Sequence, residues 1–220
     1  MAKLVVFGTG DIAKLAHFYF THDSVHRVVA FCVDAAYRTV PEFLGLPVVS
    51  FDEVELRYPP TTHRMFIAIS YAQMNRLRAC KYAAAKARGY ALVSYVSRRA
   101  TCLTQFPIGD NCFILEDNTI QPFVKIGNNV TLWSGNHIGH DSIVEDHCFI
   151  SSHVVISGHC TVGSYSFLGV NATIHHAIQI HERCLIGAGA VIRKNTVAKG
   201  VYLPKQGATL IDKNSDEVDL

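Results

Sequence analysis

An aliphatic residue returns at every sixth position along one stretch of the chain: Ile108, Ile114, Ile120, Ile126, Leu132, Ile138, Val144, Ile150, Ile156, Val162, Leu168, Ile174, Ile180, Ile186 and Ile192. If Ile, Leu and Val fill roughly a third of positions, fifteen hits in one phase arise by chance on the order of once in ten million, so the repeat reports a fold. A helix repeats every 3.6 residues and an alternating strand every 2, and neither demands a strict six. A parallel β-helix does, because each short strand and its turn consume six residues and three such sides close one coil. The ninety residues from Ile108 to Val197 therefore predict a prism of about five coils.

The preceding half reads differently. Lys3–Gly8 is a short apolar run ending at a glycine, hence a buried strand, and the sequence after it opens a helix through about Phe20. Arg27–Val33 and Arg64–Ser70 read as further strands, with Leu46-Pro47-Val48-Val49 in the loop between them. Asp52 is placed to cap a short helix through Arg57. Ala72–Arg88 is rich in Ala, Lys and Arg, a helix stopped by Gly89, and Ala91–Val96 reads as one more strand. Strands alternating with helices imply a Rossmann-like parallel βαβ sheet. The expected organisation is an α/β domain over 1–97, a linker over 98–107, a parallel β-helix over 108–200 and a tail over 201–220.

A chain of 220 residues, 49% hydrophobic and 17% charged, has the balance of a folded globular protein. No apolar run approaches the ~18 residues needed to cross a bilayer, and the N-terminus enters a strand directly, so a cytoplasmic protein without a membrane span is expected. Net charge is +2 but uneven: residues 1–107 hold 13 basic and 7 acidic side chains (+6), and residues 108–220 hold 7 and 11 (−4). A modestly basic first half suits a phosphate-bearing ligand. The basic residues form no run, which argues against nucleic acid. Four of the seven cysteines (Cys112, Cys148, Cys160, Cys184) fall four places after the periodic aliphatic, where other coils hold Val124, Ser142, Ala172 and Ala190. Reduced thiols packed as small core residues explain them.

Two places concentrate chemistry. Gly8-Thr9-Gly10-Asp11 lies between a strand and a helix, where bare backbone and helix N–H groups can hold a phosphate; the third glycine of the dinucleotide fingerprint is replaced by Ala13. Asp34, at the carboxyl end of the second strand, is placed to touch a ribose or base, or simply to form a turn. The repeat region holds eight of the twelve histidines. Adding 18 residues moves one coil along the prism, so His140 stacks over Gly158, Gly158 over His176, and Asp141 over His159, all on one corner. His140 beside Asp141 offers a general base whose acidic neighbour fixes its tautomer and raises its basicity.

The βαβ front end, the unbroken hexapeptide run and the segment Ile138-Gly139-His140-Asp141-Ser142 resemble the nucleotide-sugar acetyltransferases of the left-handed β-helix superfamily, the group of sialic acid O-acetyltransferase-like proteins and bacterial amino-sugar N-acetyltransferases. The resemblance covers roughly residues 1–200. The left hand comes from it, since parallel crossovers are ordinarily right-handed. It implies a homotrimer with active sites between subunits, and acetyl-CoA as co-substrate with no metal. On this chain the catalytic histidine falls on His140 and its acidic partner on Asp141, and the Gly158 N–H falls where the thioester carbonyl is held. Acetyl-CoA would pass His159, His176 and Ala188, with Arg193 or Lys194 near its phosphates. The nucleotide would sit at Gly8, Thr9, Gly10, Asp11, Asp34, Ser70 and Tyr71. The expected reaction is N-acetylation of a nucleotide-linked amino-deoxysugar, of 4-amino-4,6-dideoxy type, for surface polysaccharide synthesis.

The chain departs from this pattern at Ser70, where many relatives have Gly, and at Phe149, where some carry a second active-site histidine. Tyr202-Leu203-Pro204-Lys205 replaces a common Pro-Ala-Lys ending. Three other readings stand beside N-acetylation. A hydroxyl could be the acceptor, giving a sugar O-acetyltransferase. His140, His176 and His181 have a spacing that resembles the zinc ligands of γ-class carbonic anhydrases, and three imidazoles plus water make a catalytic zinc site. A non-catalytic trimeric scaffold binding nucleotide sugar or CoA is the third.

Overall fold

The computed structural model describes residues 2–205. The first half is a five-stranded sheet in the order β3-β4-β2-β1-β5, with β1 Lys3–Phe7, β2 Arg27–Val33, β3 Glu42–Phe43, β4 Leu46–Ser50 and β5 His63–Ile67. All pairings are parallel except β3 with β4. Helix α1 (Asp11–His22) buries Ala13, Ala16 and Phe20 on one side of the sheet. Helices α2 (Val54–Arg57) and α3 (Arg76–Ala87) contribute Val54 and Ala85 to the core on the other.

Local details differ from the sequence reading. Leu46–Val49 belongs to β4, because Val48 and Val49 are buried beside β2. Asp52 does not cap α2; Glu53 stands at the cap position without a side-chain bond, and Asp52 faces Arg88 at 3.5 Å. Helix α3 starts late because Gln73, Met74 and Asn75 turn through the left-handed region, while Gly89 ends it at φ +83° as expected.

The second half is a left-handed parallel β-helix. Two-residue strands pair with partners 18 residues on, Thr131 with Phe149 and His137 with Val155 for example. They form three faces of seven, six and four strands. The periodic aliphatics fill the prism interior. The ladder begins before Ile108: Tyr95–Val96 pairs with Phe113–Ile114, and Thr101–Cys102 with Thr119–Ile120. The first coil thus starts in the last residues of the expected α/β domain and runs through the stretch expected as linker, and Ala91–Val96 adds only the single bridge Met65–Leu92 to the α/β sheet. Val201–Tyr202 closes the first face on Leu185–Ile186. Residues 206–220, most of the expected tail, lie outside the described residues.

At all fourteen corners from Asn111 to Gly189 the third residue after the aliphatic has positive φ, and only two of these are glycine. Each such conformation is unfavourable for a residue with a Cβ. Bonds between coils hold them, as from His159 N to His140 O (2.9 Å) and from Ala177 N to Gly158 O (3.0 Å). The core cysteines are free and buried as expected. They also donate: Cys160 Sγ lies 3.0 Å from His175 O and Cys112 Sγ 3.1 Å from Gly127 O. Ser142 in the column of Cys160, and Ser166 in the column of Cys112, make the same 15-residue bond.

The α/β unit is fastened to the first face and to the corners on either side of it, the far one through Tyr19 Oη donating to Glu116 Oε2 at 2.8 Å. Ile67 N donates to Asn111 Oδ1 at 2.7 Å, and Asn75 Nδ2 to Ser166 O at 3.4 Å. Arg78, wholly buried, donates to Thr131 Oγ1 and Asn111 O. Burial without an acidic partner pushes this guanidinium down to about 10.

Candidate active site

The corner between the second and third faces carries, at successive coils, Pro122-Phe123, His140-Asp141, Gly158-His159 and His176-Ala177. His140 follows Ile138 and Gly139; its backbone N–H donates to Gln121 Oε1 at 2.8 Å. Asp141 occupies the left-handed position of the corner, φ +59°, which turns its carboxylate back beside the preceding ring. Asp141 Oδ2 lies 2.8 Å from His140 Nδ1, with both side chains about half exposed.

A Cβ added to Gly158 would stand 2.7 Å from His140 Nε2 and 2.8 Å from its Cε1. The imidazole therefore lies directly over Gly158, with Nδ1 toward Asp141 and Nε2 toward the glycine. One added to Gly139 would stand 2.5 Å from Gly158 N. Two glycines thus leave the Gly158 N–H uncovered beside Nε2, and among the described residues it has no hydrogen-bond acceptor. A proton acceptor and a free backbone donor adjoin, the arrangement that acyl transfer requires. His159 stands edge-on to His140, ring centres 5.0 Å apart and Nε2 3.9 Å from Asp141 Oδ2, and His176 follows 5.3 Å beyond His159.

The residues expected to hold acetyl-CoA divide. Lys194 lies 18 residues past His176 on the same corner column. Arg193 and Lys194 line a cavity of about 770 Å³ with Lys205, Val191, Tyr202 and Leu203. Cations for phosphates beside an apolar wall for the pantetheine arm fit that co-substrate. Ala188 sits on the neighbouring corner, between the first and second faces, because 188 is out of the 18-residue register of 140. His181 is likewise a face removed from His140 and His176, its N–H taken by Thr196 Oγ1 at 2.8 Å. Within one chain the γ-type zinc trio does not converge; among the described residues the ligand atoms that do are those of His140, Asp141 and His159.

The nucleotide residues gather at the carboxyl edge of β2, β1 and β5. Gly8 has φ +120°, and a Cβ there would meet Ala68 O at 2.7 Å, so this turn admits glycine alone without rearrangement. Gly10 stands at the N-cap of α1 with no side chain closing the helix end, Thr9 precedes it, and Asp11 opens the first turn. Asp34 is not free: Lys81 Nζ lies 2.6 Å from its carboxylate and also over the rings of Phe7 and Phe51. Lys81 escaped the sequence reading, although its place one turn after buried Arg78 marks the inward face of α3. Ser70 leads into Tyr71, whose ring packs 5.0 Å from Phe149 and 4.9 Å from Phe167 on the first face. Phe149, where a second histidine was sought, is thus part of an aromatic wall continuous with Trp133.

The edge expected to take the nucleotide adjoins the first face, whereas His140 stands on the corner between the other two. No hydrogen bond or ring contact among the described residues joins the α/β unit to that corner.

Residues 108–194 match, in three segments (108–139, 124–158 and 159–194), the family described as bacterial transferase hexapeptide (six repeats). Among solved structures the chain resembles PerB from Caulobacter crescentus in complex with CoA and GDP-perosamine, with a TM-score of 0.79 at 23% identity over 93% of this chain and 95% of that one. A histidine-to-asparagine variant of perosamine N-acetyltransferase from the same organism, also with CoA and GDP-perosamine, gives 0.80 at 22% over 93% and 94%. The acetyltransferase domain of PglB from Neisseria gonorrhoeae gives 0.77 at 20% over 96% and 100%. The shared fold extends over both halves of the chain.

Proposed function

We propose that this protein transfers the acetyl group of acetyl-CoA to the amine of a nucleotide-linked amino-deoxysugar, a 4-amino-4,6-dideoxy sugar, in surface glycan synthesis in the cytoplasm. The observation that carries the reading is His140 Nε2 lying over the uncovered Gly158 N–H with Nδ1 held by Asp141. Support comes from the like-folded proteins, crystallised with CoA and GDP-perosamine. No helix among the described residues is long and apolar enough to cross a membrane.

His140 Nε2 takes a proton from the sugar amine as its nitrogen attacks the thioester carbonyl. Asp141 keeps the other proton on Nδ1 and stabilises the imidazolium that forms. The Gly158 N–H receives the developing oxyanion. As the new C–N bond completes and the C–S bond breaks, His140 returns its proton to the departing CoA sulfur. No covalent intermediate on the protein is needed, because an amine is already a competent nucleophile.

The reading also requires a second copy of the chain. The nucleotide edge and His140 lie on different sides of one prism, so a sugar held at Gly8, Asp34 and Ser70 reaches the His140 corner of a neighbour. A homotrimer, three prisms around a common axis, supplies that geometry three times.

The test is a free-thiol assay with acetyl-CoA against nucleotide-linked 3-amino and 4-amino deoxysugars and their hydroxyl counterparts. CoA release with an aminosugar, lowered about 10²–10⁴-fold in His140→Ala, is expected. Release with hydroxy sugars alone would assign O-acetylation, and full turnover in His140→Ala would refute the site.

A further inference from the structure

The His140 corner holds one more ligand than acetyl transfer needs. The donor atoms of His140, Asp141 and His159 all lie within 4.8 Å of one another, and all three side chains are exposed. Asp141 Oδ2 stands between two imidazoles, 2.8 Å from His140 Nδ1 and 3.9 Å from His159 Nε2. Two imidazole nitrogens and one carboxylate suit zinc and its borderline neighbours, whereas magnesium and calcium take oxygen shells. Zinc bonds of ~2.0–2.2 Å in a tetrahedron put neighbouring ligand atoms ~3.3–3.6 Å apart. The 2.8 Å gap must open and the 3.9 Å gap close by about half an ångström, and the third pair, within 4.8 Å, must close by up to about 1.5 Å, movements that rotation of exposed side chains supplies. The backbone already sets the residues: Asp141 and His159 share the left-handed column on adjacent coils, joined through His159 N to His140 O.

We propose that His140, Asp141 and His159 form a zinc site that switches the enzyme off. The effect on turnover rests on the acetyltransferase reading; the site itself does not. Zinc at Nδ1 of His140 takes the place of the proton facing Asp141. A neutral imidazole bound through Nδ1 keeps its single proton on Nε2. Nε2 is the atom over Gly158, so the metal moves the proton onto the very position that must accept one from the amine. The site differs from a carbonic-anhydrase trio in residues and in consequence, since here the metal silences a base instead of activating a water.

The experiment titrates zinc into chelator-stripped full-length protein by calorimetry, with cobalt as a spectroscopic probe of nitrogen and oxygen ligation. One zinc per chain is expected, with affinity unchanged in His176→Ala and His181→Ala. In His159→Ala and His159→Gln it should weaken about tenfold or more, as for loss of one of three ligands. Matching melting temperatures for the two His159 variants show that the prism is intact. In the wild type, CoA release should fall in step with zinc occupancy and return with chelator. Absence of saturable binding, or full affinity in both His159 variants, would overturn the site. Undiminished turnover at full occupancy would overturn the switch. Zinc binding without acetyl transfer to any sugar in the metal-free protein would leave the site standing and remove the acetyltransferase reading alone.

Discussion

Gly158→Ala isolates the contact on which the candidate chemistry depends. The glycine has no positive φ, so alanine suits its backbone, and the substitution by itself should stabilise by about 0.4–1 kcal/mol through the unfolded chain. The obstruction is the His140 ring. The new Cβ would lie 2.7 Å from Nε2, where ordinary contact begins at 3.4 Å, so the base must retreat by the difference, 0.7 Å, or rotate away. A misplacement of about 1 Å at a reacting group costs on the order of 10² in rate. We expect kcat to fall about that much, with KM for both substrates and the melting temperature nearly unchanged. The thiol-release assay should be run in a double-mutant cycle. In His140→Ala the space over residue 158 is empty, so adding Gly158→Ala should change the residual rate less than about twofold. An equal loss in both backgrounds would show that Gly158 acts independently of the ring and would refute the argument.

Other perturbations follow from the same structure. Arg78→Ala should cost about 3–5 kcal/mol in denaturant unfolding, because two buried hydrogen bonds and a large volume are lost. Arg78→Met should recover much of that, since Nε of the buried guanidinium has no partner to lose. On the proposed reading Lys81→Met should raise KM for the nucleotide sugar with kcat little altered, by releasing the Asp34 carboxylate that Lys81 holds; an unchanged KM would remove Asp34–Lys81 from the binding edge. Gly8→Ala should destabilise the α/β domain by about 1–3 kcal/mol through its left-handed φ and the clash with Ala68 O. Burial holds His17, His26 and His147 below their ordinary value of 6.5. The unfolded chain then binds protons first as pH falls through 6.5, so stability should decline below that pH and level off once the folded histidines also protonate. Melting temperatures between pH 8 and 5 check the sign, and His147→Gln should flatten the slope.

The prism was legible because its rule is local and strict, and reading it modulo 18 placed His140 over Gly158. The rule failed to show the first coil because Cys102 occupies the aliphatic phase, although Val96 before it keeps the beat. Register also sets Ala188 and His181 on other corners than His140, which the resemblance that named Ala188 and the spacing that named His181 did not show. The Asp34–Lys81 pair was hidden by distance along the chain: 47 residues separate them, and only the packing of α3 against the sheet brings them to 2.6 Å. The thiol-to-carbonyl bonds of the core cysteines were invisible for a different reason, since a small apolar residue satisfies the same sequence pattern.

The stacked corner column also acts as a ruler. His140, Gly158, His176 and Lys194 mark successive rungs, so the reacting end and the cationic end are three rungs apart, about 14 Å at ~4.8 Å per rung. The first two steps are clamped at the corner, His159 N to His140 O and Ala177 N to Gly158 O, and the third through the strand beside it, His175 N to Ile192 O. One coil of 18 residues spliced in after His176 would preserve the base, its carboxylate and every face. It would move the cationic end one rung further from His140, so that, on the proposed reading, a co-substrate spanning the two ends would fall one rung short. Length, in such a protein, is inherited in whole coils.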